Sequence, residues 1–206
     1  PHVFDERERT AAEVFLGSVP TGAGNVLIVD DQTGLLQSGL ESRGWTGHHW
    51  RRVSGPLGPA SPWPDGPLYD AACVRLTKDK GAFEMALHAT ASVLSPDAPV
   101  WVYGANDEGI KSAPKRMKAV FDEVRVIDTR RHCRVLEGRG RTGHAVLRGR
   151  LEDWSTTTQL HFDDMTIDQR SFPGVFAKGR LDAGTNLLLN TLAPFGETVS
   201  ILDYAA

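Results

Sequence analysis

Apolar residues gather along this chain into short runs that end in acidic or turn-forming residues, and between the runs they recur at helical spacing. Residues 25–31 (NVLIVDD) are continuous enough to read as a buried parallel strand. Leu35, Leu36 and Leu40 then follow helix spacing over 33–40, and 48–53 form a second strand candidate. Residues 54–68 contain five prolines and read as a loop or rigid excursion. A further apolar strand follows at 69–76 (YDAACVRL). Phe83, Leu87, Thr90 and Leu94 then mark one face of a helix, with Glu84, His88 and Ser92 opposite, where solvation is expected. After a Ser95-Pro96-Asp97 turn, 99–103 (PVWVY) gives the next strand, and 110–120 a helix interrupted early by Pro114. Residues 123–128 and 132–137 are two strand candidates, close enough to pair antiparallel.

Strands alternating with helices predict an α/β sandwich around a mainly parallel sheet. Beyond about residue 150 the alternation weakens. Residues 151–171, with a threonine-rich turn at 156–158 and the acids Asp163, Asp164 and Asp168, read as a connection. Residues 198–203 (TVSILD) then echo 25–30 (NVLIVD), both apolar runs ending in Asp. The pattern is one complete α/β unit followed by the start of a second.

Charge adds an asymmetry that the net value of −3 conceals. Residues 111–150 hold 12 Lys/Arg against four Asp/Glu, a local balance of +8. A basic stretch on an otherwise acidic chain can attract polyanions or form a solvated face. Cys73 and Cys133 fall in strand-like runs and are expected as buried free thiols. No apolar run approaches the roughly 20 residues of a membrane helix. His48 and His49 lack a second pair of ligands, so no metal site is expected. A reducing, cytoplasmic setting fits these features.

Gly104-Ala-Asn-Asp-Glu-Gly109-Ile110-Lys111-Ser112 follows a strand and opens a helix, inviting a phosphate-loop reading. A P-loop needs Lys directly after its second glycine. Here Ile110 intervenes and turns Lys111 away by roughly 100°, and Asp107 and Glu108 repel phosphate, so nucleoside triphosphate binding is not expected.

Three segments are more specific: 102–117 (VYGANDEGIKSAPKRM), 128–133 (DTRRHC) and 172–194 (FPGVFAKGRLDAGTNLLLNTLAP), the last followed by 199–206 (VSILDYAA). In this order they resemble the ribosomal RNA small subunit methyltransferase C family, within the methyltransferase small domain group. The resemblance runs from about residue 69 to the end. It implies a Rossmann-like fold for S-adenosylmethionine (SAM)-dependent methyltransferases. In that plan a complete degenerate N-terminal domain (1–150) and a connection (151–171) precede the start of a catalytic copy (172–206). The parent activity it implies is methyl transfer from SAM to a guanine exocyclic amine of small-subunit rRNA, with rRNA or the small subunit as partner.

The residues support degeneracy by themselves. A SAM site needs a glycine-rich turn after its first strand so that backbone amides can approach the cofactor. Here the turn is Asp30-Asp31-Gln32-Thr33-Gly34, with a single glycine. Where the family's Asn-Pro-Pro-Phe/Tyr motif would stand, the chain has Val74-Arg75-Leu76-Thr77. This domain is therefore expected to be non-catalytic and not to bind SAM. The second unit stops just past Asp203, before any glycine turn, as a fragment or truncated chain would.

From the resemblance, Phe176, Lys178, Asp182, Gly184, Thr185 and Asp203 are expected near the cofactor of the parent enzyme. Asp182 equally suits the cap of a helix through the leucine run. Lys111, Lys115, Arg116, Arg130, Arg131 and Arg134 are candidate RNA contacts. Their alternative role is solubility with local ion pairs. A non-catalytic RNA-binding or ribosome-assembly module is the rival function. A nicotinamide oxidoreductase is disfavoured because no G-x-G-x-x-G follows Asp30.

Overall fold

The computed structural model describes residues 6–141, 147–162, 165–175 and 180–191. These divide into two compact units, Pro1–Ser155 and Thr156–Ala206.

The first unit opens with α1 (Glu6–Ser18), followed by β1 (Gly24–Val29), α2 (Leu35–Glu41) and β2 (Trp45–Trp50). A long loop leads to β3 (Ala71–Arg75), then α3 (Lys80–Ser92) and β4 (Val100–Ala105). Two 3-10 turns, Asn106–Glu108 and Ile110–Ser112, run into the short helix α4 (Ala113–Met117). The hairpin β5 (Phe121–Arg130) and β6 (Cys133–Arg141) follows, and a 3-10 turn at Leu151–Trp154 closes the unit.

The six strands lie in the order β2-β1-β3-β4-β6-β5. The first four are parallel, and β6 and β5 close the sheet antiparallel. Against the nucleotide-binding order 3-2-1-4-5-6, no strand lies beyond β2 among the described residues. The proline-rich loop 54–68 occupies that place in the sequence, because five prolines cannot supply the backbone donors of a ladder.

Alternating strand residues feed two faces. On one, Val26, Ile28, Cys73, Trp101 and Tyr103 pack under α1 and α2, with the Phe15 and Tyr103 rings stacked at 4.9 Å. On the other, Leu27, Val74, Val100, Val102 and Leu136 pack against Phe83 and Leu87 of α3 and Met117 of α4. Each fully buried leucine contributes about 1.5–3 kcal/mol. Cys73 and Cys133 are buried free thiols.

Four expectations need correction. The second strand begins at Trp45 rather than residue 48, because the Trp45 indole packs edge-on against Trp101 at 5.9 Å and donates to Pro20 O at 3.2 Å. The helix expected over 110–120 is a 3-10 turn plus five residues, with Pro114 accommodated in the first turn, where its missing N–H has no cost. β5 and β6 each extend beyond 123–128 and 132–137. His88 is buried at 4% exposure instead of solvated. Its Nδ1 accepts the Arg148 backbone N–H at 3.1 Å and its ring lies edge-on to Trp154 at 5.3 Å.

In the second unit, β7 (Thr156–Phe162) and β8 (Met165–Ser171) form an antiparallel hairpin, and α5 spans Ala183–Thr191. Leu187 and Leu188 of α5 are exposed.

Candidate functional site

In a doubly wound sheet, ligands bind at the carboxyl ends of the parallel strands, where the strand order reverses. Here that point lies between β1 and β3. Just past β1, Asp30 adopts φ 56° and donates its backbone N–H to Trp50 O at 3.0 Å. Its carboxylate receives Arg52 twice, from the backbone N–H at 3.2 Å and from Nε at 3.0 Å, and also ion-pairs with Arg52 Nη2. Arg52 Nη1 donates onward to Ala82 O in the first turn of α3 at 2.6 Å.

Asp31 is buried and folds its carboxylate back on the turn. It accepts Thr33 N and Oγ1 at 3.0 and 2.7 Å, and Gly34 N at 3.0 Å. Gly34 sits at φ 70°, a left-handed conformation that glycine adopts without strain, and the methyls of Leu57 pack over it.

At the end of β3, Arg75 is 3% exposed. Its Nε and Nη2 meet Glu8 at 2.7 and 2.9 Å, and Nη2 also meets both oxygens of Glu108 at 2.7 and 2.8 Å. Burial opposes the guanidinium charge, but the hydrogen bonds and charges of Glu8 and Glu108 outweigh it and raise the Arg75 pKa. Glu108 in addition accepts the Ala105 N–H at 2.8 Å. At the ends of β1 and β3 the carboxyl edge is thus occupied by its own ion pairs, and Asp31 takes up the Thr33 and Gly34 N–H groups of the turn after β1. These residues do not fit SAM.

The six RNA candidates divide across the sheet. Arg130 and Arg131 go to the α1 side. Arg130 Nε meets Asp128 at 2.7 Å, and Arg131 Nη1 meets Glu13 at 2.6 Å. Asp128 also accepts the Ser18 hydroxyl at 2.6 Å; that bond, then Arg130, holds its carboxyl below the usual range. A cleft of about 590 Å3 opens on this side, lined in part by Thr10, Asn106, Asp107 and Arg131. Lys111, Lys115 and Arg116 lie on the opposite side, on the 3-10 turn and α4. Strand alternation sets Arg134 on that same face as its neighbour Leu136.

Of the cofactor candidates, Phe176, Lys178 and Asp203 lie outside the described residues. Asp182 caps α5, accepting Gly184 N at 2.9 Å, Thr185 N at 3.2 Å and Thr185 Oγ1 at 2.5 Å. The hydroxyl bond is the leading cause that lowers its pKa. His48 Nε2 pairs with Asn25 Oδ1 at 3.0 Å and His49 with Arg51. No metal-binding cluster occurs among the described residues, and none of their helices is long and apolar enough to cross a membrane.

Sequence reading missed Glu8 and Arg52, and gave Glu108 only as a group that repels phosphate. Only pairing in space assigns them, since Glu8 and Arg75 stand 67 residues apart.

Comparison with known proteins adds a family. The methyltransferase small domain N-terminal family matches residues 45–157. Two curated relatives are both described as ribosomal RNA small subunit methyltransferase C. The protein from Marinomonas sp. is 34% identical over 127 residues, covering 62% of this chain and 35% of its own length. That from Aliivibrio salmonicida is 36% identical over 115 residues, covering 56% and 33%. The chain thus spans about a third of the length of these relatives. Among solved structures, the T. thermophilus 16S rRNA N2 methyltransferase in complex with AdoMet and guanosine superposes with a TM-score of 0.71 at 17% identity, over 88% of this chain and 51% of that one. The ribosomal protein L11 methylase of Lactobacillus delbrueckii subsp. bulgaricus superposes at 0.52 and 9% identity, over 66% and 80%. Both likenesses concern the fold.

Proposed function

The chain belongs to the methyltransferase small domain N-terminal family, and from that membership we propose that it carries the non-catalytic, RNA-handling unit of a SAM-dependent rRNA methyltransferase. The substrate in this reading is the exocyclic amine of a guanine in small-subunit, 16S-type rRNA. The reading rests on the curated relatives, which are small-subunit rRNA methyltransferases, and on a likeness to a fold solved with AdoMet and guanosine.

One observation carries the non-catalytic part. Asp30–Arg52 and the Glu8–Arg75–Glu108 cluster occupy the ends of β1 and β3, where a cofactor and a catalytic loop would lie. SAM, when bound to a competent domain, supplies an electrophilic methyl group that must lie in line with the amine nitrogen. This unit's contribution is instead to hold substrate RNA near such a domain, through cations drawn from the basic segment 111–150.

We place the N-terminal domain at 1–150, the connection at 151–171 and the start of the catalytic domain at 172–206. Phe176, Lys178, Asp182, Gly184, Thr185 and Asp203 then lie beside the cofactor of the complete enzyme. Its setting is the cytoplasm, with the small ribosomal subunit or its rRNA as partner.

Filter binding of the chain to small-subunit rRNA tests the reading, with large-subunit rRNA as comparison. Preferential retention of the small-subunit RNA is expected. Equal retention of both, or none of either, overturns the assignment.

A further inference from the structure

The 3-10 turn at Ile110–Ser112 and α4 run on without a break, and their buried residues repeat on one side. Ile110, Ala113, Met117 and Val120 are each no more than 1% exposed. Lys111, Lys115 and Lys118 stand at the complementary positions and are exposed, with Arg116 half-buried beside them. Spacings of four and then three residues align the lysines in one row along about 10 Å of helix axis. No acidic residue occurs between Gly109 and Phe121. Arg134, on the same sheet face, adds a guanidinium whose shielded Nε has no hydrogen-bond partner among the described residues.

Most other cations of the basic segment are paired with carboxylates, while Arg141 and Arg148 donate to the carbonyls of Ala91 and Asp153. Arg125 and Arg139 both pair with Glu137, Arg130 with Asp128, Arg131 with Glu13 and Arg150 with Asp153. None of Lys111, Lys115, Arg116, Lys118 and Arg134 forms an ion pair with a carboxylate among the described residues. Of the acids that flank the row in sequence, Glu108 is held by Arg75, Asp107 pairs with Arg7, and Asp122 and Glu123 stand on β5 alongside Gly140 and Arg139 of β6. Clustered like charges repel one another, and a polyanion relieves that repulsion while releasing its own counterions.

We infer that the row Lys111–Lys115–Lys118, flanked by Arg116 and Arg134, is the surface that receives the RNA phosphate backbone. On the same evidence, the hairpin arginines Arg130 and Arg131 are struts that hold α1. The inference rests on the RNA-handling reading and narrows it from a whole basic segment to one face of the sheet. Lysines act here as point charges on exposed stems, so the contact is with phosphates and reads no base sequence.

The test compares K111Q/K115Q/K118Q with R130Q/R131Q by fluorescence anisotropy on a short labelled single-stranded RNA, between 50 and 200 mM salt. Each lost phosphate contact lowers the log–log salt slope by roughly 0.7, so the lysine variant is expected to lose about 2 units of slope. Its affinity at 50 mM should fall at least tenfold. The arginine variant should keep the wild-type slope, with any loss confined to its melting temperature. Because the lysines are exposed, an unchanged circular dichroism melt identifies a folded lysine variant. Wild-type binding with a steep slope that survives the lysine changes overturns the inference and leaves the RNA-handling reading standing. Wild-type protein that binds no RNA at any salt overturns both.

Discussion

The guanidinium of Arg75 meets both carboxylate oxygens of Glu108, with Nη2 at 2.7 Å from Oε1 and 2.8 Å from Oε2. Glu108 stands in the turn after β4, and the same guanidinium holds Glu8 of α1. One buried charge therefore joins a helix, a strand end and a loop where a methyltransferase would keep an open catalytic motif. Removing one partner of a buried pair leaves the others uncompensated, at about 3–5 kcal/mol. Arg75→Met is expected to lose stability on that scale in urea unfolding. E8Q/R75M/E108Q should recover most of it. If R75M alone unfolds at the wild-type midpoint, the cluster does not hold the edge together.

Cleft, hairpin and α1 meet at Arg131 and His132, which occupy the two-residue turn between β5 and β6 at φ 48° and 60°. Such turns favour Asn-Gly, because other residues pay about 1–2 kcal/mol each for left-handed backbone. The double change R131N/H132G is expected to raise stability by about 1–2 kcal/mol. Loss of the half-exposed Arg131–Glu13 pair offsets under about 1 kcal/mol of the gain. A lower urea midpoint in this variant would show that the pair, rather than the turn, dominates.

His88 gives the fold a pH dependence of defined sign. Burial first, then the nearby Arg148, lowers its pKa, while Glu84 acts in the opposite direction. The unfolded chain therefore takes up the proton more readily than the folded one. The contribution is complete above the ordinary value of about 6.5 and is lost as pH falls below it toward the lowered folded value. Melting temperature should drop between pH 7 and 5, and less steeply in His88→Gln. His49 is lowered in the same direction, first by burial and then by Arg51, so some of the drop should persist. Parallel melting curves for wild type and variant across this range would contradict the account.

Trp154 fastens the end of the first unit to α3. Its indole N–H donates to Arg148 O at 3.1 Å, and the Arg148 guanidinium lies 3.7 Å from its ring centroid. Trp154→Ala is expected to cost about 3–5 kcal/mol and to speed proteolysis within 147–155. Wild-type cleavage rates in that segment would remove it from the fold's fastenings.

Much of this was legible in the sequence, and for physical reasons. The apolar runs 69–76 and 99–103 announce buried strands, and the strands found there, Ala71–Arg75 and Val100–Ala105, are buried throughout. Helix α1 carried little signal, because its core face includes the small residues Ala11 and Ala12 beside Val14 and Phe15. The hairpin of β7 and β8 read as a connection, since threonines and acids mask its alternation. His88 looked solvated because helix periodicity does not reveal the 147–154 segment that returns to cover it. The single-glycine turn after β1 was visible as a departure from a cofactor loop. That Asp30 and Asp31 are already occupied by Arg52, Thr33 and Gly34 is a matter of contacts that no spacing encodes.

Ion pairs occupy the ends of β1 and β3, and on the proposed reading this unit does not take SAM. Calorimetric titration of SAM into the 206-residue chain tests it most directly. The account predicts no saturable heat up to millimolar SAM, for the wild type and equally for Leu57→Ala, which uncovers Gly34 and leaves Asp30–Arg52 in place. Stoichiometric binding by the wild type with a micromolar dissociation constant would contradict it.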